Sequence, residues 1–321
     1  MKNTAANPVL KFLKKYSGTI LTLILLSVAL TIATPKYLTG SNMLNILRQV
    51  ACNAIIAFGM TYVLICGSID LSVGSVCALS GCVLVILLQQ GMNFILALVI
   101  SVLLGVIVGI INGELIARLN IPAFIVTLAS QFTVSGFAYL ITNNMPIRVN
   151  SDPLFDFGNG KWLGIPTPIY YFVIIAIVVG VILARTRFGR WVYATGGNME
   201  AAVHSGIDTK RVIIISHIIC GLLAAFAGCV WASRVYSGQP TIGSGYEGDA
   251  ISAAVLGGTS FSGGVGTIFG TVLGSLVIGV ISNGLNLLQA SYAWQLIVKG
   301  LVIIISVYID VMRKKKILKR S

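Results

Sequence analysis

The chain alternates long apolar runs with short polar interruptions. A helix needs about 20 mostly apolar residues to cross the hydrocarbon core of a bilayer. Ten runs meet or approach that length: 18–34, 50–66, 72–89, 94–113, 122–141, 168–184, 212–233, 249–259, 265–284 and 292–309. They predict an all-α fold, a polytopic transmembrane bundle forming one domain over 1–321, with a first half at 17–142 and a second at 168–310. The eighth run has about eleven residues and is either a short span or a re-entrant half-helix buried in protein.

An internal echo links the halves. The fourth run carries Gly105, Gly109 and Gly113, and the ninth carries Gly266, Gly270 and Gly274. Glycines four apart on a helix let backbones approach closely in lipid. Runs two to five would then mirror runs seven to ten in opposite orientation, and inverted repeats of this kind place transport pathways at their interface.

Composition sharpens the class. Of the 321 residues 56% are hydrophobic and only 10% are charged, against about 25% charged in soluble domains, which excludes a water-soluble fold. The net charge of +13 would raise nucleic acid as a partner in a soluble chain. Here the basic residues flank apolar runs without a groove or aromatic platform, and no nucleic-acid role is expected. Lys and Arg near a span mark its cytoplasmic side. With the N-terminus inside, 16 basic residues fall on cytoplasmic stretches; Lys36, Arg48, Arg148, Lys161 and Arg234 fall on outside loops, and Lys299 lies in the last run. An even number of crossings places both termini in the cytoplasm. The stretch 142–167, with Pro146, Pro153 and Pro166, is expected to be an outside loop with some ordered structure.

The sharpest polar feature is the interruption 67–75, which sets Asp70 and Ser72 between two apolar runs too close for a loop. A charge at the centre of a membrane helix costs roughly 2.5–3.5 kcal/mol on insertion scales. Asp70 or Ser72 therefore caps the third helix, or the break lines a pathway; both readings are open at this stage. Gly245, Tyr246, Glu247, Gly248 and Asp249 precede the eighth run in the same way, on the opposite side. The glycine-rich stretch 257–266 lacks the Lys-Ser or Lys-Thr ending of a phosphate-binding loop, and Gly243–Gly248 fits G-x-G-x-x-G without a surrounding βαβ unit. No nucleotide site, catalytic constellation or cofactor is expected. The six cysteines lack metal-site spacing and read as packing residues, and His217 is expected to bond between helices.

The inner stretch 185–211 is the largest cytoplasmic polar block. Asn198 would cap a short helix over 199–204 and Gly206 would end it, giving either a partner surface or a solvated connector.

Taken together, Gly67 to Ser75, Asn112-Gly113 with Ile121 to Leu128, Phe188-Gly189-Arg190 with Gly196 to Ile207, Asp249 to Thr259 and Ser262 to Gly274 resemble the permease subunits of bacterial monosaccharide ABC importers, the ribose permease family. The likeness covers about residues 35–312. Pro122-Ala123 stands where the family pattern has a proline pair, and Glu247-Gly248 stands where it has Glu-Leu. The resemblance implies two permease copies or paralogues in the membrane lipid, a cytoplasmic ABC ATPase, an extracytoplasmic sugar-binding protein and location in the inner membrane. It implies further that Gly189, Arg190, Gly197, Asn198, Glu200, Ala201 and Gly206 belong to the loop that meets the ATPase. Asp70, Ser72 and Asp249 remain pathway or helix-break candidates. The chain would be a transport subunit and not an enzyme. An ion-gradient-driven transporter is the rival expectation, although few intramembrane acids are present to carry a coupling ion.

Overall fold

Each apolar run is a helix, and side-chain caps set where four of them begin. The computed structural model describes residues 8–318. In the first half α1 (Pro8–Ala33) leads to α2 (Gly40–Ile65), α3 (Val73–Gln89), α4 (Phe94–Ala117) and α5 (Ala123–Ile141). A connection follows with β1 (Ile147–Arg148), α6 (Asp152–Asn159), β2 (Lys161–Trp162) and β3 (Ile165–Pro166). The second half holds α7 (Thr167–Arg185), α8 (Arg187–Gly197), α9 (Met199–His204), α10 (Thr209–Val235), β4 (Ser237–Gly238), α11 (Tyr246–Leu256), α12 (Ile268–Leu287) and α13 (Tyr292–Leu318). The strands form two two-residue ladders, β1 with β4 and β2 with β3, so the connection between α5 and α7 is ordered and pinned to the end of α10. Thr39, Asn93, Asp208 and Thr267 accept amide bonds at the starts of α2, α4, α10 and α12.

Seven of the described helices are long and apolar enough to cross a membrane, and α3 and residues 293–308 are apolar but shorter. The eleven residues of α11 span about 16 Å, half the hydrocarbon thickness, so the eighth run is a half-helix. Several boundaries differ from the sequence expectation. Helix α2 begins at Gly40, because its polar first turns find partners: Asn42 donates to the Tyr37 carbonyl at 2.9 Å and Arg48 to the Gly158 carbonyl at 3.1 Å. Arg48 is therefore inside α2 and not in a loop. Arg234 likewise sits in the last turn of α10, 4.4 Å over the Trp231 ring. The stretch before Asn198, read as connector, is the helix α8.

Helices α2–α5 and α10–α13 form two units of the same order that exchange contacts reciprocally. Helix α10 packs on α3 and α4, and α2 packs on α11 and α12. The two long helices run antiparallel: Arg234 reaches the Arg48 carbonyl at one end, and Cys66 meets Ser216 at the other. The tightest seam is α4 on α10, where Gly105 and Gly221 lie backbone to backbone and Gly109 faces the His217 carbonyl. Without a hydrophobic drive between helices in lipid, such close approach supplies the packing energy. The second glycine triad does a different job. Gly270 and Gly274 close α12 onto Gly257 and Ala253 of its own unit, and Gly266 precedes the helix. The expected mirrored glycine faces are therefore not equivalent, although the helix order around them is.

Candidate functional site

Two chain breaks meet inside the bundle. After α2 ends at Ile65 the chain turns back through residues 66–72 before α3 starts, and after α10 it turns back through residues 236–245 before α11 starts. The returns touch at Gly74 and Gly243, where a Cβ on either would overlap the other's backbone carbonyl; Gly243 also has φ +87°. Only glycine fits this contact. Beside it lies a polar cavity of about 320 Å³ lined by Gly74, Ser75, Gln131, Ser135, Tyr139, Pro240, Thr241, Ile242, Gly243, Ser244 and Glu247. Its walls come from the start of α3, from α5 and from the start of α11. Glu247 lies in the first turn of α11, where the helix dipole favours a carboxylate. Its Oε2 is buried against Gly74 without a hydrogen-bond partner. The cavity is thus walled by hydroxyls, an amide and the Glu247 side chain, a donor and acceptor set that suits a small polyhydroxy ligand.

The candidates from the breaks lie behind this cavity. Asp70 is 1% exposed and accepts from the Ser72 amide at 2.9 Å and the Ser72 hydroxyl at 2.6 Å. Asn112 of α4 donates to Ser72 Oγ at 3.0 Å, and Ser130 of α5 donates to Asn112 Oδ1. This chain of bonds ties the first break to α4 and α5. His217 Nε2 lies 3.3 Å from Ser68 Oγ and braces the same break from α10. Asp249, buried in the second break's half-helix, pairs with Lys299 of α13 at 2.7 Å. Asp70, Ser72 and Asp249 therefore hold the half-helices in place and do not line the polar cavity. Among the described residues no group of three or more His, Cys, Asp or Glu is placed to hold a metal ion, and all six cysteines are free and buried.

The remaining candidates sit on α8 and α9. Thr186 caps α8 by accepting from the Gly189 amide at 3.2 Å, and Gly189 packs on the Leu183 carbonyl. Arg190 is exposed and donates to the Thr186 carbonyl at 3.3 Å. Gly197, Asn198, Glu200, Ala201 and Gly206 are exposed; Asn198 accepts from the Ala201 amide at 2.9 Å and Gly206, at φ +80°, follows the end of α9. Met199 and Val203 are exposed beside Glu200, giving α9 an apolar surface with an acid on it. The inner side of α8 is fixed by Gly196, which packs against the Ile65 carbonyl and the Gly264 amide, themselves bonded at 2.8 Å. Tyr193 donates to the Gly266 carbonyl at 2.7 Å. The exposed pair α8–α9 is therefore clasped to the end of α2, which leads into the first break, and to residues 257–267, which follow α11 at the end away from the second break.

In the sequence Glu247 and Gly196 stood out only as parts of longer motifs, and Gln131, Ser135, Tyr139 and the Asp249–Lys299 pairing were passed over. For α5 a signal was present: Thr127, Gln131, Ser135 and Tyr139 recur every four residues and share one helix face. The Lys299 pairing joins positions 50 residues apart and carried no local signal.

A family profile described as "Branched-chain amino acid transport system / permease component" matches residues 42–307. The ribose import permease protein RbsC of Bacillus subtilis (strain 168) is 46% identical over 300 residues, covering 93% of this chain and 92% of that protein. The protein of the same name in Escherichia coli (strain K12) is 41% identical over 303 residues, covering 93% and 94%. The L-arabinose ABC transporter permease protein AraH of Azospirillum brasilense is 37% identical over 300 residues, covering 94% and 88%. No solved structure matches the chain.

Proposed function

The chain belongs to the branched-chain amino acid transport system / permease component family and is a permease subunit of an ABC importer for sugars; from that premise we propose that it passes ribose or a closely similar pentose through the polar cavity at the meeting of its two breaks. The observation that carries this reading is the cavity itself, whose volume of about 320 Å³ lies within the range of small-molecule sites, about 300–1,000 Å³, and whose lining matches the hydroxyls of a sugar.

The cycle is alternating access. Both termini and the α8–α9 pair face the cytoplasm, where a separate ATPase subunit engages the exposed surface around Glu200. The outside connection with α6 faces a sugar-binding protein, and a second permease copy or paralogue completes the pathway in the inner membrane. When nucleotide binding moves α8, the clasp through Gly196 displaces the end of α2 and residues 257–267 together. The end of α2 leads through residues 66–72 into α3, whose start walls the cavity, and residues 257–267 follow α11, whose start forms another wall, so the movement reaches one wall through the first break and the other along α11. The buried ties from Asp70 and Asp249 keep each half-helix moving with its own unit.

The test is sugar uptake into proteoliposomes holding the permease with its ATPase. ATP and a ribose-loaded binding protein together are expected to drive accumulation. Uptake that runs on an imposed ion gradient without ATP would overturn the mechanism in favour of a secondary transporter.

A further inference from the structure

Helix α7 is loosely held, and an apolar groove of about 450 Å³ runs between it and the start of α12. Ile177, Gly180 and Val181 form one wall and Ile268, Phe269 and Val272 the other. At one end of the groove stands Arg185, the last residue of α7. Its side chain is exposed and makes no ion pair or hydrogen bond among the described residues. Arg187 and Arg190 follow within one turn of α8, whose first turn has no acid. The other polar side chains lining the groove are already bonded, the Tyr193 hydroxyl to the Gly266 carbonyl and the Thr267 hydroxyl to the Gly270 amide and the Tyr16 hydroxyl.

A membrane-facing groove of this kind is filled in the bilayer by acyl chains, and a cation at the end of a span attracts an anionic headgroup. We propose that this groove is a binding site for one anionic phospholipid, with an acyl chain between α7 and α12 and its headgroup phosphate on the Arg185 guanidinium. A second groove on the opposite flank of α7, about 470 Å³ and walled by Ile174, Val178, Ile182, Leu222 and Phe226 among others, has no cation and serves as the internal comparison. The proposal depends on the membrane placement of α7 and not on which sugar is carried.

The experiment is native mass spectrometry of the intact full-length transporter titrated with phosphatidylglycerol or phosphatidylethanolamine of the same chain length. One bound phosphatidylglycerol is expected to be preferred over phosphatidylethanolamine by about fivefold, the worth of one basic residue at a membrane surface. Arg185→Gln removes the preference and Arg185→Lys keeps it. Gly180→Leu weakens the first binding event by narrowing the groove: a Cβ at Gly180 stands 3.7 Å from Ile268 on the opposite wall, an ordinary contact, and the longer side chain takes up groove space beyond it. Glycerol 3-phosphate does not compete, because the headgroup alone lacks the groove's apolar contact. Equal binding of the two lipids, a preference that survives Arg185→Gln, or full competition by glycerol 3-phosphate would each overturn the site. So would a cross-link placing a second copy of the chain between residues 177 and 272.

Discussion

At the residue scale the account turns on a carboxylate and a glycine. Glu247 walls the polar cavity with its Oε2 buried against Gly74 and without a partner, so a sugar hydroxyl reaches that oxygen only when the Gly74 contact opens; a bond to the carboxylate is then worth about 1.5–3 kcal/mol. Glu247→Gln is expected to lower ATP-driven ribose uptake by about tenfold or more while the assembled complex keeps its ATPase partner, as measured in proteoliposomes. Gly196 and Gly197 give a paired comparison. A Cβ at Gly196 collides with the Ile65 carbonyl and the Gly264 amide, whereas a Cβ at Gly197 meets nothing within 4 Å. Gly196→Ala is therefore expected to break the clasp and uncouple ATP hydrolysis from uptake, and Gly197→Ala to leave both rates near wild type. Neither residue's role follows from residue type alone: Gly196 matters because of a backbone atom 131 positions earlier in the chain, and no local pattern records that neighbour.

At the scale of elements, the two half-helix starts carry the mechanism and their ties can be measured. Asp249 is 5% exposed and its partner Lys299 keeps 29% of its side-chain exposure. Removing one member leaves a charge buried without its partner, at a cost of about 3 kcal/mol, near the low end for buried pairs because Lys299 is partly open. In a double-mutant cycle followed by thermal unfolding in detergent, Asp249→Asn and Lys299→Met are expected each to destabilise. The double variant should lose clearly less than their sum. The exposed face of α9 is tested by Glu200→Lys: uptake is expected to fall to background with membrane insertion and cavity intact, and ATP-driven uptake at the wild-type rate would remove α9 from the coupling path. Of the two short helices between α7 and α10, α9 was legible in advance. Asn198, Glu200 and Gly206 carried the cap, the first-turn acid and the stop of α9, which are local chemistry. Helix α8 carried a signal that the reading missed: Phe188, Trp191 and Val192 stand at i, i+3 and i+4, with Val192 and Thr195 on the buried side.

At the scale of the whole molecule, the helical membrane bundle and the order of its segments were legible, because lipid leaves the backbone few alternatives and long apolar runs report it directly. The mirrored order of the two units was legible in outline, but the glycine triads misled about its contacts: Gly105 joins the two units while Gly270 and Gly274 act within one. The cavity was the least legible part, since it forms only when α5, the start of α3 and the start of α11 converge. Its role as the pathway is tested most directly by a single cysteine at Ser135, on the cavity wall, because all six native cysteines are buried and give little background. In the intact transporter, labelling of Ser135→Cys by a membrane-impermeant thiol reagent from one side is expected to be fast in one nucleotide state, slow in the other, and slowed further by sugar. Labelling that is equal in both states and indifferent to sugar would contradict the assignment.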